Sequence, residues 1–152
     1  MIDNHTSTPV QIDAWQGSGV FSGYASVFGV IDSQADMMMP GAFQSSLDAV
    51  QSGRAIKLLW QHDTSQPVGK ITALREDAYG LWMQGELLLH VQQGKEAFAL
   101  LKQEAIKGLS IGYSPLKWQV DADTGIRFLY EVDLWEVSVV TFPANEMAGV
   151  VV

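Results

Sequence analysis

Strand-like runs separated by short turns dominate this sequence and limit the folds open to it. Apolar and β-branched residues alternate with polar ones in several runs, and Gly, Pro, Asn and Asp mark the connections. Two segments have helical spacing instead, residues 42–51 and residues 94–107, and a glycine follows each. Connections this short favour antiparallel pairing over regular βαβ units. The sequence therefore predicts an α+β fold, mainly an antiparallel β-barrel or curved sheet with flanking helices.

Length and composition fit one domain. A chain of 152 residues is long enough to bury a single substantial core. Its hydrophobic share of 47% and charged share of 17% are typical of folded globular proteins. Residues 1–9 are polar and end at Pro9, so we expect a flexible lead-in there and a single domain over residues 10–152.

Charge and composition exclude several classes of function. The net charge of -8 disfavours a nucleic-acid surface, which needs clustered Lys and Arg. The absence of cysteine excludes disulfides, a thiol nucleophile and a thiolate zinc site. The first residues lack the basic and apolar regions of a signal peptide, and no apolar run is long enough to span a membrane. We expect a protein that is not secreted and does not bind membranes.

A lone serine between two glycines, in Gly108-Leu109-Ser110-Ile111-Gly112, is the candidate nucleophile. In a strand, Ser110 and Gly112 share one face, whereas Leu109 and Ile111 lie on the other. A face of hydroxyls and glycines packs a core poorly and leaves clearance for a substrate backbone. The alternative interpretation is an ordinary strand surface that faces solvent.

His62 is the candidate base, because a serine hydroxyl becomes a good nucleophile only when a neutral imidazole takes its proton. The period-two pattern of residues 56–63 places His62 at the end of an apolar stripe with Ile56, Leu58 and Trp60. His5 lies in the polar lead-in and is a weaker candidate. The alternative for His62 is a structural imidazole at the edge of the core.

Glu136 is the candidate acid. In the long strand predicted for residues 126–141, it shares a face with Val132, Leu134, Ser138 and Val140 if no bulge intervenes. Burial of an uncompensated carboxylate is costly, so Glu136 is expected to be exposed, protonated or partnered, for example by an imidazole. An edge-strand carboxylate facing water is the alternative role. Glu131 and Asp133, on the opposite face, are the alternative acids.

The surrounding sequence argues against two common kinds of site, the nucleophile elbow of α/β-hydrolases and a histidine metal site. In the α/β-hydrolase fold, G-x-S-x-G lies between a strand and a following helix, and the histidine comes last in the chain. Here residues after Ser110 continue as strand, and His62 precedes the serine. A metal site is not predicted, because no second histidine stands at ligand spacing from His62.

Several blocks of sequence, in one order through most of the chain, carry a family resemblance. They are Gly23-Tyr24-Ala25-Ser26-Val27-Phe28 with Asp32, Pro40-Gly41-Ala42-Phe43, Leu59-Trp60-Gln61-His62-Asp63 with Pro67-Val68-Gly69-Lys70, Gly80-Leu81, Gly108-Leu109-Ser110-Ile111-Gly112-Tyr113, and residues 131–145 from Glu131 to Asn145. This sequence resembles the prohead (capsid maturation) proteases of tailed bacteriophages, which are similar in fold to the herpesvirus assemblin proteases.

The resemblance implies a serine endopeptidase with a Ser-His-acid catalytic group. It implies action inside the immature capsid in the bacterial host cytoplasm, on the scaffold segment of the major capsid protein precursor and on the protease itself. Carried onto this sequence, Ser110 attacks the scissile carbonyl, His62 acts as base and then as acid, and Glu136 orients the imidazole. Glu131 or Asp133 could replace Glu136 as the third member.

No cofactor, metal, nucleic acid or membrane is expected, and a homodimer is compatible with this interpretation. The alternative is a noncatalytic capsid-assembly or scaffold-binding module on the same fold, and a third interpretation is an esterase without proteolytic activity. Family members often continue beyond Pro143-Ala144-Asn145, whereas this sequence ends at Val152. We therefore expect a shortened chain or a self-processed core.

Overall fold

The structure is a computed structural model that describes residues 18–150. The lead-in predicted for residues 1–9 lies outside this range. The described chain forms seven strands and two helices, in the order β1 Val20–Val27, β2 Asp36–Met38, α1 Gln44–Gln51, β3 Lys57–Trp60, β4 Asp63–Glu76, β5 Gly80–Leu87, α2 Gln92–Lys102, β6 Gly108–Val120 and β7 Arg127–Val140.

All these strands form one curled sheet in the order β1-β5-β4-β3-β7-β2, with β6 on the other edge of β7. Four of the pairings are antiparallel, but β2 and β3 both pair with β7 in parallel. The prediction of a mainly antiparallel barrel is therefore right for most pairings and too strict as a whole. Single bridges from Gly149 reach Tyr24 in β1 and Gly108 in β6, so the C-terminal segment links the two ends of the sheet.

The parallel pairing of β3 with β7 determines where the candidate residues meet. Between these two strands the chain passes through β4, β5, α2 and β6, which gives it the length that a parallel connection needs. Trp60, the last residue of β3, lies opposite Val139. The segment that follows β3, which contains His62, is thereby placed beside the end of β7.

Both helices end in a Schellman motif, with one residue in the left-handed region. For α1 that residue is Gly53, with φ of 106°, as the predicted glycine stop requires. For α2 it is Glu104, with φ of 57°, and Ala105 N–H donates to Leu100 C=O at 3.0 Å. The prediction that this helix continues to Lys107 is wrong, because a glutamate takes the position that glycine usually occupies.

Two features of the sheet are irregular. Residues 32–41 contain only the short strand β2, and Met38 is buried there. Pro67 lies inside β4 opposite a register shift in β3. A proline is tolerated at such a shift because regular ladder hydrogen bonding is already interrupted there.

The core fills the space between the curled sheet and the helices. Its largest fully buried side chains include Phe21, Phe43, Leu58, Leu81, Met83, Leu101, Leu109 and Leu134. In β7, Leu134 pairs with Tyr113 and Glu136 pairs with Gly112, so Trp135 is an extra residue of β7 without a partner in β6. This bulge breaks the simple alternation that predicts Leu134 and Glu136 on one face, and it lets Leu134 pack in the core while Glu136 turns to the site.

Candidate active site

Ser110 lies in the first half of β6, which continues as strand to Val120. The prediction of a serine on a strand, and not on a strand-to-helix turn, is confirmed. Its side chain is buried, and Ser110 is directly opposite Ser138 in β7. Two places further along, Gly112 is opposite Glu136. Because cross-strand partners project to the same side of a sheet, all four residues share one face.

The two glycines that flank Ser110 make room for the protein itself. A Cβ at Gly112 would lie 2.5 Å from Glu136 Oε1. A Cβ at Gly108 would lie 2.8 Å from Pro143 Cδ. The expectation that these glycines leave clearance for a substrate is therefore wrong: Gly112 accommodates the Glu136 carboxylate, and Gly108 accommodates the proline that follows β7.

His62 does not lie on a regular strand face, contrary to the prediction from its alternation with Leu58 and Trp60. Trp60 pairs with Asp63, which leaves Gln61 and His62 as a two-residue turn between β3 and β4. Their φ values are 51° and 60°. Positive φ at both positions is what a type I′ turn requires, and glycine or asparagine usually supplies it. Left-handed backbone at such residues costs roughly 1–3 kcal/mol each.

This turn is held to β7 and to the residue that follows it. Gln61 N–H donates to Val139 C=O at 2.9 Å. The Gln61 side-chain amide donates to Thr141 Oγ1 at 2.7 Å and accepts from Thr141 N–H at 3.2 Å. The backbone N–H of His62 donates to Ser138 Oγ at 3.0 Å. These bonds offset the cost of the turn and fix the backbone that carries the imidazole.

The imidazole of His62 contacts the carboxylate of Glu136. His62 Nδ1 and Glu136 Oε1 form a short hydrogen bond, in which the Glu136 side chain is buried and His62 is half exposed. The bond from Glu136 raises the pKa of His62 above its ordinary value of 6.5, against the opposing effect of burial. With Nδ1 as the donor to the carboxylate, the neutral ring has its free lone pair on Nε2.

Ser138 completes the surroundings of the carboxylate. Its hydroxyl donates to Glu136 Oε2 at 2.6 Å while it accepts from the His62 backbone. The Ser138 side chain is fully buried. The sequence placed Ser138 on the same face as Glu136 but assigned it no role, because a serine two residues after an acid in a strand is not a distinctive pattern.

The two alternative acids are paired elsewhere. Asp133 forms an ion pair with Arg54 from the loop after α1. Glu131 lies 3.2 Å from Lys117 Nζ across the β6–β7 pair. Of the three carboxylates considered, the structure therefore brings only Glu136 to His62.

Ser110 and His62 line one cavity of about 280 Å³. Ala144 and Asn145, from the turn after β7, form part of its wall. The Asn145 amide donates to Val27 C=O at 3.0 Å, which ties this turn to β1. The side chains of Ser110 and His62 therefore face one space, and among the hydrogen bonds of residues 18–150 none joins the Ser110 hydroxyl to the His62 ring.

An ionic cluster centred on the buried Asp36 contributes Asp36 and Tyr113 to the cavity wall, and it was not found from the sequence. Asp36 accepts two hydrogen bonds from Arg127, at 2.7 and 2.8 Å, and a third from the Tyr113 hydroxyl at 3.1 Å. Burial and the Asp36 charge raise the pKa of Tyr113, so its hydroxyl remains a donor. Asp32 also lines the cavity, and burial raises its pKa. Asp36 and Arg127 are far apart in sequence, and neither lies in a recognisable motif.

Two kinds of site are absent from the described part of the chain. Among residues 18–150, no group of three acidic or histidine side chains is arranged to hold a metal ion. None of the helices in this range is long and apolar enough to cross a bilayer.

Comparison of the structure with solved proteins defines the class of fold. The capsid assembly protease of bacteriophage T4 superposes with a TM-score of 0.63 and 15% identity, over 82% of each chain. The KSHV protease, solved with a hexapeptide phosphonate inhibitor, superposes with a TM-score of 0.52 and 11% identity, over 87% of this chain and 63% of that one. At these identities the likeness concerns the fold, and it confirms the predicted similarity to herpesvirus proteases.

Comparison of the sequence defines the family. Residues 7–152 match the family described as Caudovirus prohead serine protease, and the chain belongs to this family. The prohead protease of Enterobacteria phage HK97 is 38% identical over 134 residues, which cover 87% of this chain and 59% of the relative. The chain thus spans about three fifths of the length of that relative. The predicted family resemblance is confirmed.

Proposed function

We propose that this protein is a serine endopeptidase that cleaves precursor proteins of the phage capsid during prohead maturation, with Ser110, His62 and Glu136 as its catalytic group. The observation that carries the proposal is the contact between His62 and the buried Glu136 beside the cavity that holds Ser110. Membership of the prohead serine protease family supports the same reaction.

The chemistry follows from the roles of the three side chains. Glu136 holds Nδ1 of His62, so Nε2 is free to accept the proton of the Ser110 hydroxyl. Ser110 Oγ then attacks the scissile carbonyl, and the protonated imidazole gives its proton to the leaving amine. Water, deprotonated by the same imidazole, hydrolyses the ester on Ser110 and restores the enzyme.

The raised pKa of His62 fits this cycle. The charged imidazole that forms during attack is stabilised by the carboxylate at its Nδ1 side. Catalytic hydrogen bonds are often absent or long without substrate and shorten only in the complex. Attack therefore requires Nε2 of His62 and the Ser110 hydroxyl to come within hydrogen-bond distance when a peptide occupies the cavity.

The substrate proposed is the scaffold segment of the major capsid protein precursor, together with the protease itself. This places the reaction inside the immature capsid in the bacterial cytoplasm. The matched relatives include a protein named capsid polyprotein, from Pseudomonas phage PAJU2, which is 31% identical over 126 residues. That similarity is consistent with a protease produced alongside capsid protein. A homodimer, and the lack of nucleic-acid binding, stay predictions.

The test is cleavage of the capsid protein precursor of the same phage by the purified protein. Discrete fragments are expected with the wild type and none with Ser110→Ala or His62→Ala. Ser114→Ala is the matched control, because Ser114 lies on the same strand and its hydroxyl accepts from Trp135 Nε1 at 3.1 Å, outside the cavity. This control is expected to cleave like the wild type.

Other outcomes point to other functions. If the wild type binds the precursor but yields no fragments, the protein is an assembly or scaffold-binding module and the proposal is wrong. If it hydrolyses small acyl esters but no peptide, it is an esterase. If Ser110→Ala still yields the same fragments, the nucleophile is another residue.

A further inference from the structure

We propose that Ser138 is a positioning residue, whose hydroxyl holds both the backbone of His62 and the carboxylate of Glu136 and so sets the imidazole for proton transfer. This inference rests on the proposed function. The hydrogen bonds of the Ser138 hydroxyl go to His62 and Glu136, and its effect is exerted through these two residues.

The Ser138 hydroxyl acts both as acceptor and as donor, and so it links the turn that carries His62 to the Glu136 carboxylate. Ser138 Oγ accepts the His62 N–H at 3.0 Å and donates its own hydrogen to Glu136 Oε2 at 2.6 Å. The second oxygen of the same carboxylate, Oε1, contacts His62 Nδ1. The hydrogen bonds thus form a closed cycle, from the His62 backbone to Ser138, from Ser138 to Glu136, and from Glu136 to the His62 imidazole. This cycle fixes both the backbone and the imidazole of His62 relative to the Glu136 carboxylate.

The His62 backbone needs such a partner, because it lies in a strained turn. Both residues of the turn have positive φ, which neither glutamine nor histidine favours. Gln61 is held by Val139 and Thr141, but the bond to Ser138 is the one that holds the His62 N–H. Without it, that N–H loses its acceptor and the turn is free to relax towards ordinary φ values.

The carboxylate needs the same partner for a different reason. Glu136 is buried, and its Oε1 lies so close to Gly112 that a Cβ there would be 2.5 Å away. The Ser138 hydroxyl donates a charge-assisted hydrogen bond to Oε2, and it thereby replaces the water molecule that would donate to an exposed carboxylate. A serine at 138 therefore holds the carboxylate in one rotamer, with Oε1 directed at the imidazole.

Ser46 offers a matched control in the same structure. Its hydroxyl is also buried, donates to Val132 C=O at 3.1 Å and accepts from Leu134 N–H at 2.9 Å. Like Ser138, it makes one bond in each direction and binds β7. It contacts neither His62 nor Glu136, so Ser46→Ala removes comparable structural bonds and leaves the site intact.

The experiment compares Ser138→Ala, Ser138→Thr and Ser46→Ala with the wild type. The pKa of His62 is measured by NMR titration of the histidine ring signals; the chain has three histidines, and His62→Ala assigns the signal. Glu136 is the charged group in contact with the ring, and Asp32 and Asp36, which line the same cavity, are unchanged in all variants. The rate of labelling of Ser110 by a fluorophosphonate, and kcat and KM for precursor cleavage, are measured alongside.

In Ser138→Ala, we expect the His62 pKa to fall towards 6.5, because the imidazole–carboxylate contact is less populated. We expect kcat and the labelling rate to fall about 10- to 100-fold, with KM little changed, since misplacement by about 1 Å can cost 10²-fold. Ser138→Thr keeps the hydroxyl and is expected to restore the pKa and most of kcat. Ser46→Ala is expected to lower thermal stability and to leave the His62 pKa unchanged.

The inference is overturned if Ser138→Ala leaves the His62 pKa at its wild-type value, or if Ser46→Ala lowers that pKa equally. Failure of the proposed function looks different. In that case the wild type itself neither cleaves the precursor nor reacts with the fluorophosphonate, while the His62 titration still tells whether Ser138 holds the pair together.

Discussion

A methyl group added at position 112 clashes with the Glu136 carboxylate and displaces it from His62. The Cβ of Gly112→Ala would lie 2.5 Å from Glu136 Oε1, 2.9 Å from its Cγ and 3.0 Å from its Cδ, whereas ordinary contact begins at 3.4 Å. The carboxylate must therefore shift by about 1 Å, a displacement that can cost roughly 10²-fold in rate. Gly112 does not have positive φ, so the effect is steric and not one of backbone strain.

The assay measures kcat for precursor cleavage and the His62 pKa in Gly112→Ala. We expect kcat to fall about 100-fold and the pKa of His62 to move down, since the raised value depends on Glu136. Gly85→Ala is the matched control. Its Cβ would lie 3.0 Å from ring atoms of Phe21 and 3.1 Å from Met83 Cε, in the core and away from the cavity. It is expected to lower the melting temperature while folded molecules keep the wild-type kcat.

Wild-type values of both kcat and the His62 pKa in Gly112→Ala would contradict this expectation. The contact between His62 and Glu136 would then be either absent in solution or irrelevant to turnover. An equal loss of kcat in Gly85→Ala would attribute the effect to general destabilisation of the sheet.

Three further predictions follow from the same geometry. The pH profile of kcat/KM, measured from initial rates, should rise through a midpoint above 6.5, because only neutral His62 takes the proton and Glu136 raises the pKa of His62. Glu136→Gln should lower both this midpoint and the plateau, and an unchanged midpoint would contradict the role given to Glu136. Asp133→Asn and Glu131→Gln should keep the wild-type kcat, because these acids pair with Arg54 and Lys117. A loss of kcat in either variant comparable to that in Glu136→Gln would make that residue the acid of the catalytic group. Leu134→Ala should destabilise the fold by about 2–5 kcal/mol in urea unfolding, because Leu134 is fully buried, and a change under 1 kcal/mol would mean that the core at β7 is looser than described.

The strand that carries Ser110 could be predicted because its determinants are local. Alternation over residues 108–114 and the absence of a helix signal after the serine are visible in the sequence, and both distinguish it from a hydrolase elbow. The unusual position of a carboxylate at 136 was visible for the same reason. Its partner could only be proposed, since His62 is 74 positions away in the chain.

The turn at His62 could not be predicted, because its backbone conformation contradicts local preference. Gln61 and His62 adopt positive φ only because Val139, Ser138 and Thr141 bind them from β7 and beyond. The early end of α2 has a similar cause: Glu104 takes a left-handed conformation that sequence rules reserve for glycine. In both cases, contacts distant in sequence outweigh intrinsic propensity.

The parallel pairings and the bulge in β7 were missed for a topological reason. Period two gives the face of each residue only while the register is continuous, and a single inserted residue reverses it. Short connections correctly predicted antiparallel neighbours but carried no information about β3, which reaches β7 only after several intervening elements. The ion pair of Asp36 with Arg127 depends on the parallel β2–β7 pairing and was hidden with it.

Identification of the residue modified by a fluorophosphonate tests directly whether Ser110 is the nucleophile and His62 its base. We expect peptide mapping by mass spectrometry to find one adduct, on Ser110. In His62→Ala we expect this adduct to be lost or to form at least about 10²-fold more slowly, because the hydroxyl then lacks its base. Modification of another serine, or labelling of Ser110 at the same rate without His62, would contradict these catalytic roles.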